Sequence, residues 1–247
     1  MQVLVQVSWA RLGDAHDGLL DLLDPVERGR HAATVGPGDR DRFLLGVALS
    51  RLLLGELLDV PPADVPLRRV CARCGGPHGK VRLDRSAAPR LPEYGFSVTH
   101  SGDVVGVAVC RGVEVGLDVE DAYGAVDVDT AARTALSDAE LAALYARPPA
   151  ERRLAFLRTW TRKEAVLKAL GVGLGAPLRR LEVSAPEHAP TVRAWPDQIA
   201  VRPPLAMADM VVDGVHPAAV AATGAGGARL VRHDGSAAVS AYGRRGP

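Results

Sequence analysis

The hydrophobic period of the chain changes along its length, and each change marks an element. Residues 1–9 alternate apolar and polar (Met1-Gln-Val-Leu-Val-Gln-Val7), the period of two that predicts a strand. A short helical pattern covers about residues 17–23. Asp24-Pro25-Val26-Glu27 then combines an acidic cap with proline in the first turn, which predicts a second helix carrying Arg28, Arg30 and His31. Residues 34–39 are a Gly- and Pro-containing loop. Residues 40–58 make a long amphipathic helix that opens with Arg40, Asp41 and Arg42 and turns Leu44, Leu45, Val47, Ala48, Leu52 and Leu53 to a core. Pro61, Pro62 and Pro66 close that region, and residues 86–92 are loop.

Two apolar runs flank Arg111-Gly112. Residues 104–110 are continuous, and residues 113–120 alternate, with Val113, Val115, Leu117 and Val119 on one face and Asp118 and Glu120 on the other. Folded as a hairpin, they put Asp118 opposite about Val105 and Glu120 opposite about Asp103, with His100 and Ser101 just beyond. The alternative is that the two acids are the wet face of an edge strand. Ser137-Asp-Ala-Glu140 is a capping box, which gives Glu140 a structural duty at a helix start. Pro148-Pro149 breaks that helix. Residues 181–220 read as short strands between Pro and Gly turns, and residues 191–195 and 215–222 are the clearest strands of this region. After Thr223 the chain is Gly- and Ala-rich; residues 229–232 add one strand and the last residues are loose.

The helix over residues 156–170 carries the least ordinary pattern. Phe156, Trp160, Val166, Leu167 and Leu170 fall in one broad arc, and Gly171 stops the helix. Lys163 lands near the middle of that arc, Glu164 between Trp160 and Leu157, and Lys168 at its edge, one turn beyond Glu164. Charges on a buried side need partners. They form an internal pair, snorkel to the surface, or belong to a site.

Composition narrows the classes. The chain has 247 residues, enough for one large or two small domains. A formal charge of +1 and 4% aromatics give no field or stacking surface for nucleic acid. No run approaches the roughly 20 apolar residues of a membrane span. The first residues lack the basic start of a signal peptide, and three cysteines make no disulfide framework, so the expected compartment is the cytosol. Cys71-Ala-Arg-Cys74 and His78 offer three metal ligands and no fourth; zinc is one reading, and a Gly-rich turn aiming Lys80 is the better one. Gly171-Val-Gly-Leu-Gly175 follows a helix rather than opening one, which makes it a weak phosphate loop.

Taken together, Asp118, Glu120 and Glu164 are hard oxygen donors without His or Cys beside them, a set that suits Mg²⁺. Lys80, His100, Lys163, Lys168 and the arginines near residues 30 and 42 are anion donors. Carboxylates for a dication beside cations for phosphate is the logic of diphosphate cleavage.

Three segments resemble the motifs of the 4′-phosphopantetheinyl transferases of the surfactin-synthetase type. They are Phe96-Ser-Val-Thr-His-Ser-Gly-Asp103, Val115-Gly-Leu-Asp-Val-Glu120, and residues 156–174 with Trp160, Lys163-Glu164, Lys168 and Gly171-x-Gly173-Leu174. The Cys71 to Lys80 segment also resembles the turn that delivers a lysine ahead of the His block. Any one block is weak; three in this order and spacing are specific. The resemblance implies an α+β fold of two similar halves related by a pseudo-two-fold axis, with coenzyme A in the cleft between them. Its boundaries put the first half at residues 1–112, the second, with the acidic metal site, at 113–225, and a tail at 226–247.

It further implies an Mg²⁺-dependent, monomeric enzyme that moves the phosphopantetheine arm of coenzyme A onto a serine of an apo acyl or peptidyl carrier protein and releases 3′,5′-ADP. Asp118, Glu120 and Glu164 would bind the metal, Glu164 would also serve as base, and Lys168 would stabilise the diphosphate. Arg30 and His100 would hold the 3′-phosphate, Arg42, Lys80 and Thr99 would line the nucleotide pocket, and Lys163 would join the anion donors. Glu140 matches a further family carboxylate. Size and plan resemble enzymes that serve polyketide and nonribosomal peptide synthases. Three features depart from the family pattern: Val81 where proline often follows Gly-Lys, Thr99 for serine, and the loop at residues 35–38. A coenzyme A hydrolase and a non-catalytic carrier-binding module are the other readings.

Overall fold

The computed structural model describes residues 2–69, 76, 79–173 and 176–243. Cys71, Cys74 and His78, and with them the zinc reading, lie outside the described residues. The chain forms two compact units, one of residues 5–113 with 230–247 and one of residues 114–229 with the first four. The fold is α+β.

The unit that begins at residue 5 opens with strand β1 (Val3–Arg11), helix α1 (Pro25–Ala33) and helix α2 (Pro37–Leu58). The hairpin of β2 (Leu67–Arg69) and β3 (Val81–Leu83) follows, then β4 (Tyr94–Ser101) and β5 (Val104–Arg111). Asp24 caps α1 as its sequence predicts: it accepts from Glu27 N at 2.8 Å, and Glu27 Oε2 accepts from Asp24 N at 3.0 Å. The same Glu27 oxygen takes Arg51 Nε and Nη2 of α2 at 3.1 and 2.8 Å. Arg51 is fully buried, so this pair is satisfied inside the fold rather than at its surface.

The other unit holds β6 (Val115–Val119), helices α3 (Val128–Ala135), α4 (Asp138–Tyr145) and α5 (Pro149–Leu170), and strands β7 (Glu182–Val183), β8 (Val192–Ala194), β9 (Leu205–Val212) and β10 (His216–Thr223). Its main sheet runs β6-β10-β9, antiparallel throughout. Each unit thus places a 22-residue helix, α2 or α5, on an antiparallel sheet. The chain ends with β11 (Ala228–Asp234) and α6 (Gly235–Tyr242). β11 is the strand expected at residues 229–232, but α6 is not the loose end that its composition predicts. β11 extends a sheet in the order β11-β1-β5-β4, and Val239 of α6 is fully buried.

The expected hairpin about Arg111-Gly112 does not form. β5 pairs with β1 on one side and β4 on the other, so neither edge is open to β6. β6 pairs with β10, and Asp118 stands opposite Ala219 instead of Val105. Val104–Arg111 is buried along all but its last residue, and a strand buried on both faces reads alike whichever neighbour it has. The register that would have set His100 beside Asp118 is therefore absent, and the two residues belong to different units. Among the described residues, no helix is long and apolar enough to cross a membrane.

Candidate active site

Helix α5 opens on Pro149 and ends where Gly171 adopts φ 69°, a left-handed turn that glycine makes without strain. Its middle is buried nearly all round, and it lies against β6 and β10. Gly116 of β6 sets how close the helix comes. A Cβ there would stand 2.0 Å from Ala165 O and 2.4 Å from Ala169 N, so only glycine permits the approach. Asp118, two residues along the same strand face, is thereby brought under α5.

There Lys168 Nζ donates to Asp118 Oδ1 at 2.6 Å and to Leu117 O at 3.1 Å. Glu164, one turn earlier, is 8% exposed, and its buried Oε1 has no hydrogen-bond partner among the described residues. Burial pushes the Glu164 carboxyl above its ordinary range, the negative charge of Asp118 pushes it further, and Lys168 draws it back. Two carboxylates and one ammonium thus share a small, half-dry space.

A dication fits this pair. It would satisfy the bare Glu164 oxygen and relieve the repulsion from Asp118, and Mg²⁺ is commonly held by one or two carboxylates with waters and substrate phosphates. The third expected ligand is not gathered with them. Among the described residues, no three His, Cys, Asp or Glu side chains stand together as a metal group. Glu120 sits half-buried just past the end of β6, where its N–H donates to Pro217 O at 3.0 Å.

Lys163 also departs from its expected role. It is fully buried, and its ammonium donates to Ala135 O at 2.8 Å, Glu140 Oε2 at 2.5 Å and Leu178 O at 3.0 Å. All three donors are spent on the protein, so Lys163 has none for coenzyme A. Glu140 acquires its duty in the same place. It closes the capping box to Ser137 N at 2.9 Å and accepts from Val183 N at 3.0 Å. Burial lowers the Lys163 pKa and Glu140 holds it up. Lys163→Met, which leaves Glu140 and two carbonyls without their cation, is expected to cost about 3–5 kcal/mol of stability. Urea unfolding measures this.

The sequence reading missed Arg162 altogether. It is fully buried, donates to both oxygens of Asp209 at 3.0 and 2.5 Å, and reaches Ser184 O at 2.7 Å and His188 O at 2.8 Å. Asp209 and Asp118 both stand opposite Ala219, in one row across the sheet. Arg162 and Lys168 therefore tie α5 to the two ends of that row, with Glu164 between them. Arg153 was missed as well; it donates to the carbonyls of Ala122, Gly124 and Val126 and so shapes the loop after Glu120.

The unit carrying α2 has a pocket of its own, of about 430 Å³, lined by Arg42, Phe43, Arg69, Val98 and His100 among others. Arg42 is braced by Gly102 O at 3.0 and 2.8 Å and by Asp39 at 2.9 Å. Arg30 stands 5.9 Å from the centre of the Phe43 ring. Lys80 directly precedes Val81, which lines the pocket. Thr99 differs from expectation. It lies between Val98 and His100, so it points to the other face of β4, where it is 3% exposed.

A family model of the 4′-phosphopantetheinyl transferase superfamily matches residues 114–220, which include β6 and α5. The chain is 31% identical over 191 residues to the 4′-phosphopantetheinyl transferase HetI of Nostoc sp., covering 77% of this chain and 74% of that protein. It is 32% identical over 139 residues to the 4′-phosphopantetheinyl transferase AcpT of Salmonella typhimurium, covering 50% of this chain and 71% of that one. It is 26% identical over 166 residues to the human L-aminoadipate-semialdehyde dehydrogenase-phosphopantetheinyl transferase, 65% of this chain but about half (52%) of the human protein. With Gly116, Asp118, Glu164 and Lys168 of the matched segment assembled on β6 and α5, the chain is an enzyme of the 4′-phosphopantetheinyl transferase superfamily.

Proposed function

We propose that this enzyme transfers the 4′-phosphopantetheine group of coenzyme A to a serine of an apo acyl or peptidyl carrier protein and releases 3′,5′-ADP. The observation that carries the reading is the Glu164 carboxylate, buried beside Asp118 with a bare oxygen and facing the Lys168 ammonium. Asp118 and Glu164 would hold Mg²⁺, whose charge offsets that of the diphosphate. Glu164 accepts the proton of the carrier serine as the serine oxygen attacks the phosphorus next to the pantetheine. The bond to the bridging oxygen breaks and its electron pair leaves with 3′,5′-ADP. Lys168, anchored by Asp118 and Leu117 O, presents its positive charge to the departing phosphate and supplies a proton to it. The pocket lined by Arg42 and His100, with Arg30 and Lys80 nearby, takes the nucleotide end.

The chain's three motif segments resemble the surfactin-synthetase type, so we assign it to polyketide or nonribosomal peptide carriers and to a monomer in the cytosol. Incubation with coenzyme A, Mg²⁺ and a panel of apo carriers, read by intact mass, tests the reading. A carrier heavier by one phosphopantetheine supports it. Coenzyme A consumed at full rate with no carrier present means hydrolysis and rejects it.

A pH profile follows from the raised Glu164 pKa. A base must be ionised, so activity is lost as pH falls through a value above the ordinary glutamate 4.5. More Mg²⁺ favours the ionised form and should move this acid limb to lower pH. The fold prefers the neutral acid, so the metal-free protein should lose stability as pH rises from the unfolded glutamate pKa through the raised one. An acid limb at or below the ordinary value, unmoved by Mg²⁺, would count against Glu164 as the base.

A further inference from the structure

Arg69 was no part of the expected site. It sits half-buried on β2, opposite Val81 of β3, and lines the same pocket as Arg42 and His100. Among the described residues its only hydrogen bond goes to a neutral group, Gly79 O at 3.0 Å, and no carboxylate forms an ion pair with it. A guanidinium has five donors in a planar fork, so most of this fork is left for a ligand.

The pocket is arranged to leave positive charge over. Its two carboxylates are engaged elsewhere, Glu27 by the buried Arg51 and Asp39 by Arg42. The Arg69 pKa is lowered first by burial and next by the charge of Arg30, with the Glu27 charge opposing them, so two guanidiniums stand near each other in a partly dry place. Such a pair is unfavourable alone and favourable around a dianion, which each fork can grip with two hydrogen bonds.

Coenzyme A carries two separated anionic groups. On the coenzyme A reading, which this inference rests on, the diphosphate belongs with Lys168 and the metal-holding pair. The 3′-phosphomonoester is then the dianion left for the pocket of the other unit. We propose that Arg69 is a specificity determinant that grips the 3′-phosphate and makes the enzyme select coenzyme A over its dephospho form.

Calorimetric titration of the full chain with 3′,5′-ADP and with 5′-AMP tests this without any turnover. The wild type should prefer 3′,5′-ADP by on the order of ten- to a hundredfold, the worth of charge-assisted hydrogen bonds to one phosphate. Arg69→Gln should lose most of that preference and bind 5′-AMP as before. Arg69→Lys, which keeps the charge and loses the fork, should fall between, and provides the answer if the glutamine variant does not fold. Arg68→Gln, at the exposed neighbouring position, should behave as wild type. Folded Arg69 variants with the wild-type preference would overturn the assignment of Arg69 and leave the coenzyme A reading standing. A wild type that binds neither nucleotide would overturn that reading and this inference with it.

Discussion

Replacing Glu164 with glutamine is expected to slow carrier modification at least about a thousandfold and to leave the protein as stable as before, or more so. The two halves of this expectation come from one fact. Glu164 is buried beside Asp118, and both its burial and that neighbour favour the neutral carboxyl. Glutamine has the shape of the neutral form, so it removes a repulsion from the metal-free fold. On the proposed reading the same change removes the base and one of two groups that would hold the metal, each worth orders of magnitude in rate. Carrier mass gain and thermal unfolding should be measured on one preparation. Wild-type turnover in Glu164→Gln would reject the site. Loss of activity together with loss of fold would show instead that Glu164 is a packing residue.

The second large effect belongs to Gly116. Alanine there is expected to destabilise the protein by about 3 kcal/mol and to remove activity with it. The added methyl would lie 2.0 Å from a backbone oxygen of α5 and 2.4 Å from a backbone nitrogen, neither of which can swing aside as a side-chain end could. The helix must lift from β6 or the strand must bow. Either movement separates Glu164 and Lys168 from Asp118, since the Lys168–Asp118 distance of 2.6 Å depends on that approach. For a protein with ordinary stability of about 5–15 kcal/mol, the loss should be plain in a urea midpoint. A Gly116→Ala variant with wild-type midpoint and rate would show that the helix does not need this contact.

What the sequence made legible was what depends on near neighbours. The helix start at Asp24-Pro25 and the capping box of Ser137 with Glu140 both form, because each is closed within four residues. The helix carrying Glu164 was legible from its period, and its cations Arg162, Lys163 and Lys168 did have partners. Which partner each would find was not legible. Lys163 and Lys168 are five positions apart, so their side chains leave α5 in different directions; one meets Glu140 and is spent, the other meets Asp118 and stays part-exposed. Thr99 and His100 divide for a simpler reason, since successive strand residues face opposite ways.

The β5–β6 hairpin failed because pairing is a choice among distant edges, and turn residues alone do not decide it. β11 was legible at residues 229–232, but α6 was hidden by composition, because a segment of small residues carries little periodic contrast. Arg162 and Arg69 escaped because arginine in a helix or a short strand gives no local sign of burial. Their roles depend on Asp209 and on the pocket wall, which only the fold supplies.

The account turns on Asp118 and Glu164 acting as one site for a dication. Titrating Mn²⁺ into the wild type and into Glu164→Gln, with coenzyme A present and free Mn²⁺ read by electron paramagnetic resonance, tests this directly. The account predicts tight uptake of Mn²⁺ by the wild type and its loss in the variant. Equal uptake by both proteins would contradict it.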